Sequence, residues 1–416
     1  MKKFLAALIL SLIMPISANA LSLREAAEIA LQNNPSLQRT ARSIEIAEEN
    51  LKIAKSEKGI SVDSSSSLNV SKTEGNVHSE TFSGRISASL TLYNGHRTDA
   101  QIKSAEIDIQ TAWLDFQKAQ DDLIYNVAIA YVDALENLAT AKVNLQSEEN
   151  LAEHEHNIAL LYDAGAKAKI DLLRAQVETT NAGQTTAKSY ADYEVSMVKL
   201  ATLMSINAVT NLELDDVNTS LELVDLENFL AMAEENRQDL KVDALKIEQG
   251  EIQIEIARAA KLPTVSAQAG TGFSAARDSW HPTPDASIGV SASWNIFDGG
   301  KTRSQIQAAE IELERLHLAM QADTQAIHED VISAYKNLKI AVIRLRTTQK
   351  AVELAEEERY IATEKYNAGE GIFLDILDSE NSLATAKKNH VSALYDVARY
   401  RLNLAHAMGN TLSVVS

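Results

Sequence analysis

The chain has 416 residues, with 39 Lys or Arg against 58 Asp or Glu and a formal net charge of -19. That acidity makes it a poor partner for nucleic acid and a good host for cations, and the length allows one large or two smaller domains. With 5 prolines, 15 glycines and much Ala, Glu, Leu and Gln the composition favours long helices, and the lack of cysteine excludes disulfides and a lipid anchor on an N-terminal cysteine.

The N-terminus comes first. Met1-Lys2-Lys3 is a short basic start, residues 4–16 are apolar, and Ser17-Ala18-Asn19-Ala20 ends in a small-x-small pattern. This is the form of a secretory signal peptide, residues 1–20, with the mature chain expected to begin at Leu21. Removing Lys2 and Lys3 with the signal takes the formal charge from -19 to -21. No later run of about 18 apolar residues follows, so no transmembrane helix is expected.

The rest of the chain is a duplication. Leu92-Tyr93-Asn94-Gly95-His96-Arg97-Thr98 matches Ile296-Phe297-Asp298-Gly299-Gly300-Lys301-Thr302. Ala130-Tyr131 matches Ala334-Tyr335, and Tyr162-Asp163-Ala164-Gly165 matches Tyr366-Asn367-Ala368-Gly369. All of these pairs are offset by 204, and earlier pairs such as Asn33 with Asn236 by 203. The expected organisation is a first repeat over 21–206, a linker over 207–223, a second repeat over 224–409 and a short tail over 410–416.

Each repeat opens with a short helix (23–33; 226–236) and a longer one (36–58; 239–261). Two strands follow, near 61–72 and 82–93 in the first repeat and near 264–274 and 286–297 in the second. Their alternation is the sharpest local signal. Ile86, Ala88, Leu90 and Leu92 are apolar, while Ser83, Arg85, Ser87, Ser89 and Thr91 are polar. In the second repeat Ile288, Val290, Ala292, Trp294 and Ile296 alternate with Ser287, Gly289, Ser291, Ser293 and Asn295. Period 2 gives one apolar and one polar face, and about 9–11 residues cross a bilayer when tilted. Phe82, Tyr93, Phe273, Trp280, Trp294 and Phe297 lie near strand ends, as membrane-interface girdles require. A soluble sandwich with one solvated face is the competing reading. The small Ser and Gly of the polar faces favour a water-filled lumen instead. Four strands cannot close a barrel, and lipid does not tolerate open edges. Two copies would give eight strands and an interior filled by side chains. Three copies, with twelve, are the smaller number that leaves a passage.

Long helices start directly after the strands. Thr98-Asp99-Ala100-Gln101 and Thr302-Arg303-Ser304-Gln305 have the capping-box form, behind Asn94-Gly95 and Asp298-Gly299 turns. Leu123, Val127, Ala130, Ala134, Leu138 and Ala141 make a coiled-coil stripe, as do Ile327, Val331, Ala334, Leu338, Val342 and Leu345. A breaker-free helix from 98 to 162 would be about 90 Å long at 1.5 Å per residue. Gly165 and Gly369 end these helices, and second long helices run over 171–204 and 375–408.

This order of signal peptide, duplicated unit, aromatic-(Asn/Asp)-Gly turns and Tyr-x-x-Gly turns before an Asp resembles the TolC-like outer-membrane efflux protein family over essentially the whole mature chain. Leu21-Ser22-Leu23-Arg24-Glu25-Ala26 and Asn34-Pro35 are similar to the family's opening. The resemblance implies an α+β membrane protein of the outer membrane, reaching into the periplasm. It implies a homotrimer, a β-barrel completed by trimerisation, and a long helical barrel. It also implies a periplasmic adaptor, or membrane fusion protein, and an inner-membrane pump, with efflux or type I secretion as the function. By the same resemblance Asp375 and Asp378 form acidic rings at the periplasmic mouth, Tyr366 latches it, and Asp171 is the acidic counterpart in the first repeat. The family's basic latch residue falls on Gly371, with Lys167 at the first-repeat equivalent. The turns with Gly165, Lys167, Gly369 and Gly371 would face the adaptor.

Other readings are blander. Asp171 and Asp375 at helix N-termini could serve as caps alone. His154-Glu155-His156 reads as a solvated face, because positions two apart on a helix point different ways. No nucleophile–base pair, phosphate loop or metal spacing appears, so no enzyme, cofactor or metal is expected. The rival from another class is a periplasmic coiled-coil scaffold without a pore.

Overall fold

The structure is a computed structural model that describes residues 21–73, 77–207, 214–215, 226–276 and 281–415. The signal segment 1–20, nearly all of the linker 207–223 and Trp280 lie outside the described residues. The described elements come in one order, twice. The first pass is α1 (Leu23–Asn33), α2 (Pro35–Ser56), β1 (Ser61–Thr73), β2 (Val77–Tyr93), α3 (Arg97–Asp163) and α4 (Lys169–Met204). The second is α5 (Leu226–Asn236), α6 (Gln238–Ala259), β3 (Thr264–Ala276), β4 (Thr283–Ser293), α7 (Lys301–Asn367) and α8 (Phe373–Ala407), with a short α9 (Leu412–Val415) after it. Among the described residues no helix is long and apolar enough to cross a membrane.

The chain divides into two compact units. The first comprises 1–39, 116–238 and 324–416. Its largest core gathers α1, the middle of α3 (Leu123 to Leu135), the end of α4 (Leu200, Met204) and the end of α8 (Tyr395, Ala398, Leu402). Ala at 26, 27, 30, 128, 130 and 134 lets these helices approach closely. Local signals start α1: the Ser22 hydroxyl accepts the Glu25 N–H at 3.3 Å, and Glu25 accepts the Ser22 N–H at 2.9 Å, a reciprocal cap. Tyr131 is fully buried, and its hydroxyl lies 2.6 Å from the Leu21 carbonyl and 2.8 Å from the Asp215 carbonyl. It thereby ties Leu21 and Asp215 to α3.

The second unit comprises 40–115 and 239–323. Its sheet is antiparallel, in the order β1-β2-β3-β4. The register places Arg85 opposite Ser65 on one side and Gly272 on the other, and Gly272 opposite Asp285. Odd residues of β2 therefore share a face with odd residues of β1 and β4 and even residues of β3. That face carries serine pairs across strands: Ser61 with Ser89 at 2.7 Å, Ser67 with Ser83 at 2.9 Å, and Ser266 with Ser291 at 3.2 Å. The opposite face exposes Val62, Leu68, Ile86, Ile288 and Val290.

Two strands depart from the sequence expectation by three residues or more. β2 begins at Val77, five residues early, because it pairs with β1 as far as Thr73. β4 covers Thr283–Ser293 instead of 286–297. Ser293 faces Thr264, the first residue of β3, and Pro263 before it has no N–H to extend the ladder. Trp294 and Phe297 therefore lie past the strand, exposed, and the Trp294 indole N–H donates to the Lys261 carbonyl at 3.0 Å.

Candidate functional site

The two helix–turn–helix tips of the first unit carry most of the residues singled out in the sequence. Both turns have the same hydrogen bonds. Gly165 N–H donates to Tyr162 at 2.9 Å and Ala166 N–H to Leu161 at 2.8 Å. Gly369 N–H donates to Tyr366 at 3.0 Å and Glu370 N–H to Lys365 at 2.9 Å. These are Schellman closures, with Gly165 at φ 73° and Gly369 at φ 77°, where glycine avoids the left-handed penalty.

The turns diverge in their side chains. The Lys167 ammonium sits over the Tyr366 ring, 4.5 Å from its centre, a cation–π contact between the two hairpins. Tyr366 also meets Phe373 at 6.4 Å and packs against the Leu151, Ile158, Ala175 and Leu377 cluster. Its hydroxyl is buried without a hydrogen-bond partner among the described residues. Gly371, where the resemblance leads one to expect a basic residue, is tightly placed: a Cβ there would lie 3.0 Å from the Tyr366 nitrogen and 3.2 Å from Lys365. The basic residue near the tyrosine comes from the other turn.

Asp375 accepts the Ile372 N–H at 3.3 Å, so it caps α8, and it is exposed. Asp378 is exposed one turn on and has no bonded partner among the described residues. Three positions apart, the two carboxylates share a helix face. Asp171 lies in the first turn of α4, half-buried, and no contact joins it to Tyr366 among the described residues.

A buried polar cluster behind the second tip escapes a reading of the sequence. Glu380 is 2% exposed. It accepts from Asn150 at 3.2 Å and Arg359 at 3.2 Å, with His154 at 3.8 Å. Burial pushes its carboxyl up, but the neighbouring His154, the hydrogen bond from Asn150 and the Arg359 charge outweigh burial and hold it below the usual range. His154 is thus turned inward, not solvated as expected, while His156 is exposed. Further along, Arg399 of α8 bonds Glu136 at 2.5 Å and Asp133 at 3.0 Å on α3 and Asp396 at 2.6 Å, and Arg344 of α7 also pairs with Asp396. Burial opposes the Arg399 charge, and its carboxylate partners more than offset that. Apart from Asp396, three residues before Arg399, the partners lie 21 to 266 residues apart in sequence, and each alone reads as a solvated charge. Only the helix register could have revealed them.

In the second unit, both strand-to-helix junctions are side-chain capped. Asn94 bonds Thr98 at 2.7 Å, and Asp298 accepts the Thr302 N–H at 2.8 Å and the Gly300 N–H at 3.0 Å. Tyr93 ends β2, with its ring edge-on to His96 at 5.6 Å. Arg85 and Asp285 form an ion pair at 2.6 Å on the serine-bearing face.

Known proteins share this architecture. The family model described as Outer membrane efflux protein matches residues 26–205 and again 229–410. The Escherichia coli (strain K12) outer membrane protein TolC is 24% identical, over 94% of this chain and 83% of its own length. The outer membrane efflux protein BepC of Brucella suis biovar 1 is 23% identical, over 91% of this chain and 83% of its own. Among solved structures, the transmembrane channel CusC superposes with a TM-score of 0.81 at 17% identity, covering 94% of this chain and 93% of that one. Two matches to one model, in tandem, also account for the repeated element order. The rival reading as a scaffold without a pore finds no support here. The chain therefore belongs to the outer membrane efflux protein family, and it is an outer-membrane channel for efflux or type I secretion, not an enzyme.

Proposed function

We propose that three copies assemble into one passive duct, coupled through a periplasmic adaptor to an inner-membrane pump that supplies the energy. The open edges of the sheet carry this reading. β1 and β4 each have one unpaired side, and Ile288, Val290, Val62 and Leu68 on the apolar face are exposed. Unpaired strand edges are not viable in hydrocarbon. Three four-stranded sheets joined edge to edge remove every edge and turn the apolar face to lipid, with Tyr93, Trp294 and Phe297 near the interface.

The periplasmic mouth is assigned to the tip of α8. Three-fold symmetry would gather Asp375 and Asp378 from each copy into six carboxylates, which concentrate cations and repel anions. Lys167 on Tyr366 holds the two hairpins of one copy together, as a latch must, and Asp171 is the acid available on the first hairpin. The exposed turns at Gly165, Gly369 and Gly371 offer the adaptor a compact surface.

The native chain has no cysteine, so Asp378→Cys gives a single probe. Treated in native membranes with a flexible three-armed tris-maleimide, it should yield covalent dimer and trimer. Monomer alone, or dimer without trimer, would contradict the assembly.

A further inference from the structure

Arg85, Gly272 and Asp285 lie in one row across three neighbouring strands. The Arg85 guanidinium crosses the middle strand and donates to Asp285 at 2.6 Å. Strands two places apart are roughly 9.6 Å distant, so the arginine must lie flat to make that bond. Glycine makes room for it. A Cβ at Gly272 would lie 3.1 Å from the Asp285 carboxylate and 2.7 Å from the Gly84 carbonyl, and a Cβ at Gly270 would lie 3.3 Å from the Arg85 guanidinium. The row sits on the face that carries the Ser67–Ser83 and Ser61–Ser89 pairs. Among the described strand residues of that face, Arg85 is the cation, and Asp63 and Asp285 are the anions.

We infer that the Arg85–Asp285 pair sets the charge and the free width of the duct within the membrane, by folding the arginine against the wall. This rests on the reading above, in which the serine-bearing face lines the lumen. With Asp285 in place, three guanidinium groups lie in the glycine furrow, each neutralised by its acid. Without it, three unpaired cations swing toward the axis of the pore. The pair is thus a selectivity device separate from the acidic mouth.

The test is single-channel recording of purified wild type, Asp285→Asn, Arg85→Gln and the double variant, each checked for retained oligomer by size exclusion. Asp285→Asn should lower unitary conductance and cut the cation-over-anion permeability ratio by about twofold or more. Arg85→Gln should raise that ratio without lowering conductance. The double variant should regain wild-type conductance. Asp285→Asn channels with unchanged conductance would overturn the inference, as would equal permeability ratios in all four proteins. Folded wild type that forms no channels would overturn the duct reading itself, an outcome distinct from conducting channels that ignore these substitutions.

Discussion

The two repeats place equivalent backbone in equivalent elements, yet they use it differently. Tyr131 is fully buried and bonded to two carbonyls, while Tyr335, offset by 204, is half-buried against Phe229 with ring centres 6.0 Å apart. Left-handed positions show the same asymmetry. His96 at φ 65° and Ser205 at φ 54° occupy the first repeat, where the second has Gly300 at φ 92° and Gly409 at φ 68°. At the tips, Lys167 and Arg174 in the first repeat stand where the second has Gly371 and Asp378. Duplication therefore preserved the backbone path and released the side chains. The first copy carries the structural anchor and the basic tip, and the second adds Asp378 to the aspartate that both share, Asp171 and Asp375.

The largest expected break in that comparison is at the paired tyrosines. Tyr131→Ala should cost about 4 kcal/mol, the range for emptying a fully buried aromatic site, and Tyr335→Ala about half as much. Denaturant unfolding of the two purified variants checks this, and equal losses would mean the repeats are anchored alike. Next is Glu380, whose first-repeat counterpart is Gln176. Glu380→Gln removes a buried charge facing Arg359 and should cost roughly 2 kcal/mol at neutral pH. The sign with pH follows from the lowered carboxyl. Its stabilisation is complete above the ordinary carboxylate range and is lost as pH falls through the depressed folded value. The difference in thermal midpoint between wild type and Glu380→Gln should thus shrink on acidification, and a gap that widens would refute the assignment.

The smallest effects sharpen the comparison at the helix ends. Gly409→Ser adds a left-handed penalty of about 1–2 kcal/mol, and its Cβ would press on Arg237 at 3.2 Å. The reverse change, Ser205→Gly, should stabilise by about 1 kcal/mol by removing the same penalty. Thermal midpoints of opposite sign for the two swaps would bear out the asymmetry.

The duplication, the strand alternation and the glycine turns were legible in the sequence because each rests on short-range pattern. Period 2 over 82–92 needs no knowledge of neighbours. The side-chain contacts were not legible. Lys167 meets Tyr366 only once the two hairpins lie together, Glu380 is buried only once α3, α7 and α8 surround it, and Arg85 finds Asp285 only across the gap that Gly272 leaves. β4 ends before its sequence alternation does for a similar reason. Trp294 and Ile296 continue the alternation, but Pro263 denies them a partner strand.

The most direct test of the duct and its acidic mouth is planar-bilayer conductance of the purified mature protein beside Asp375→Asn/Asp378→Asn. The account predicts cation-selective channels whose selectivity falls, or whose conductance rises, when the aspartates are neutralised. Channels indifferent to the substitution would reduce both aspartates to helix-terminus residues, and folded, inserted protein that conducts nothing would contradict the duct.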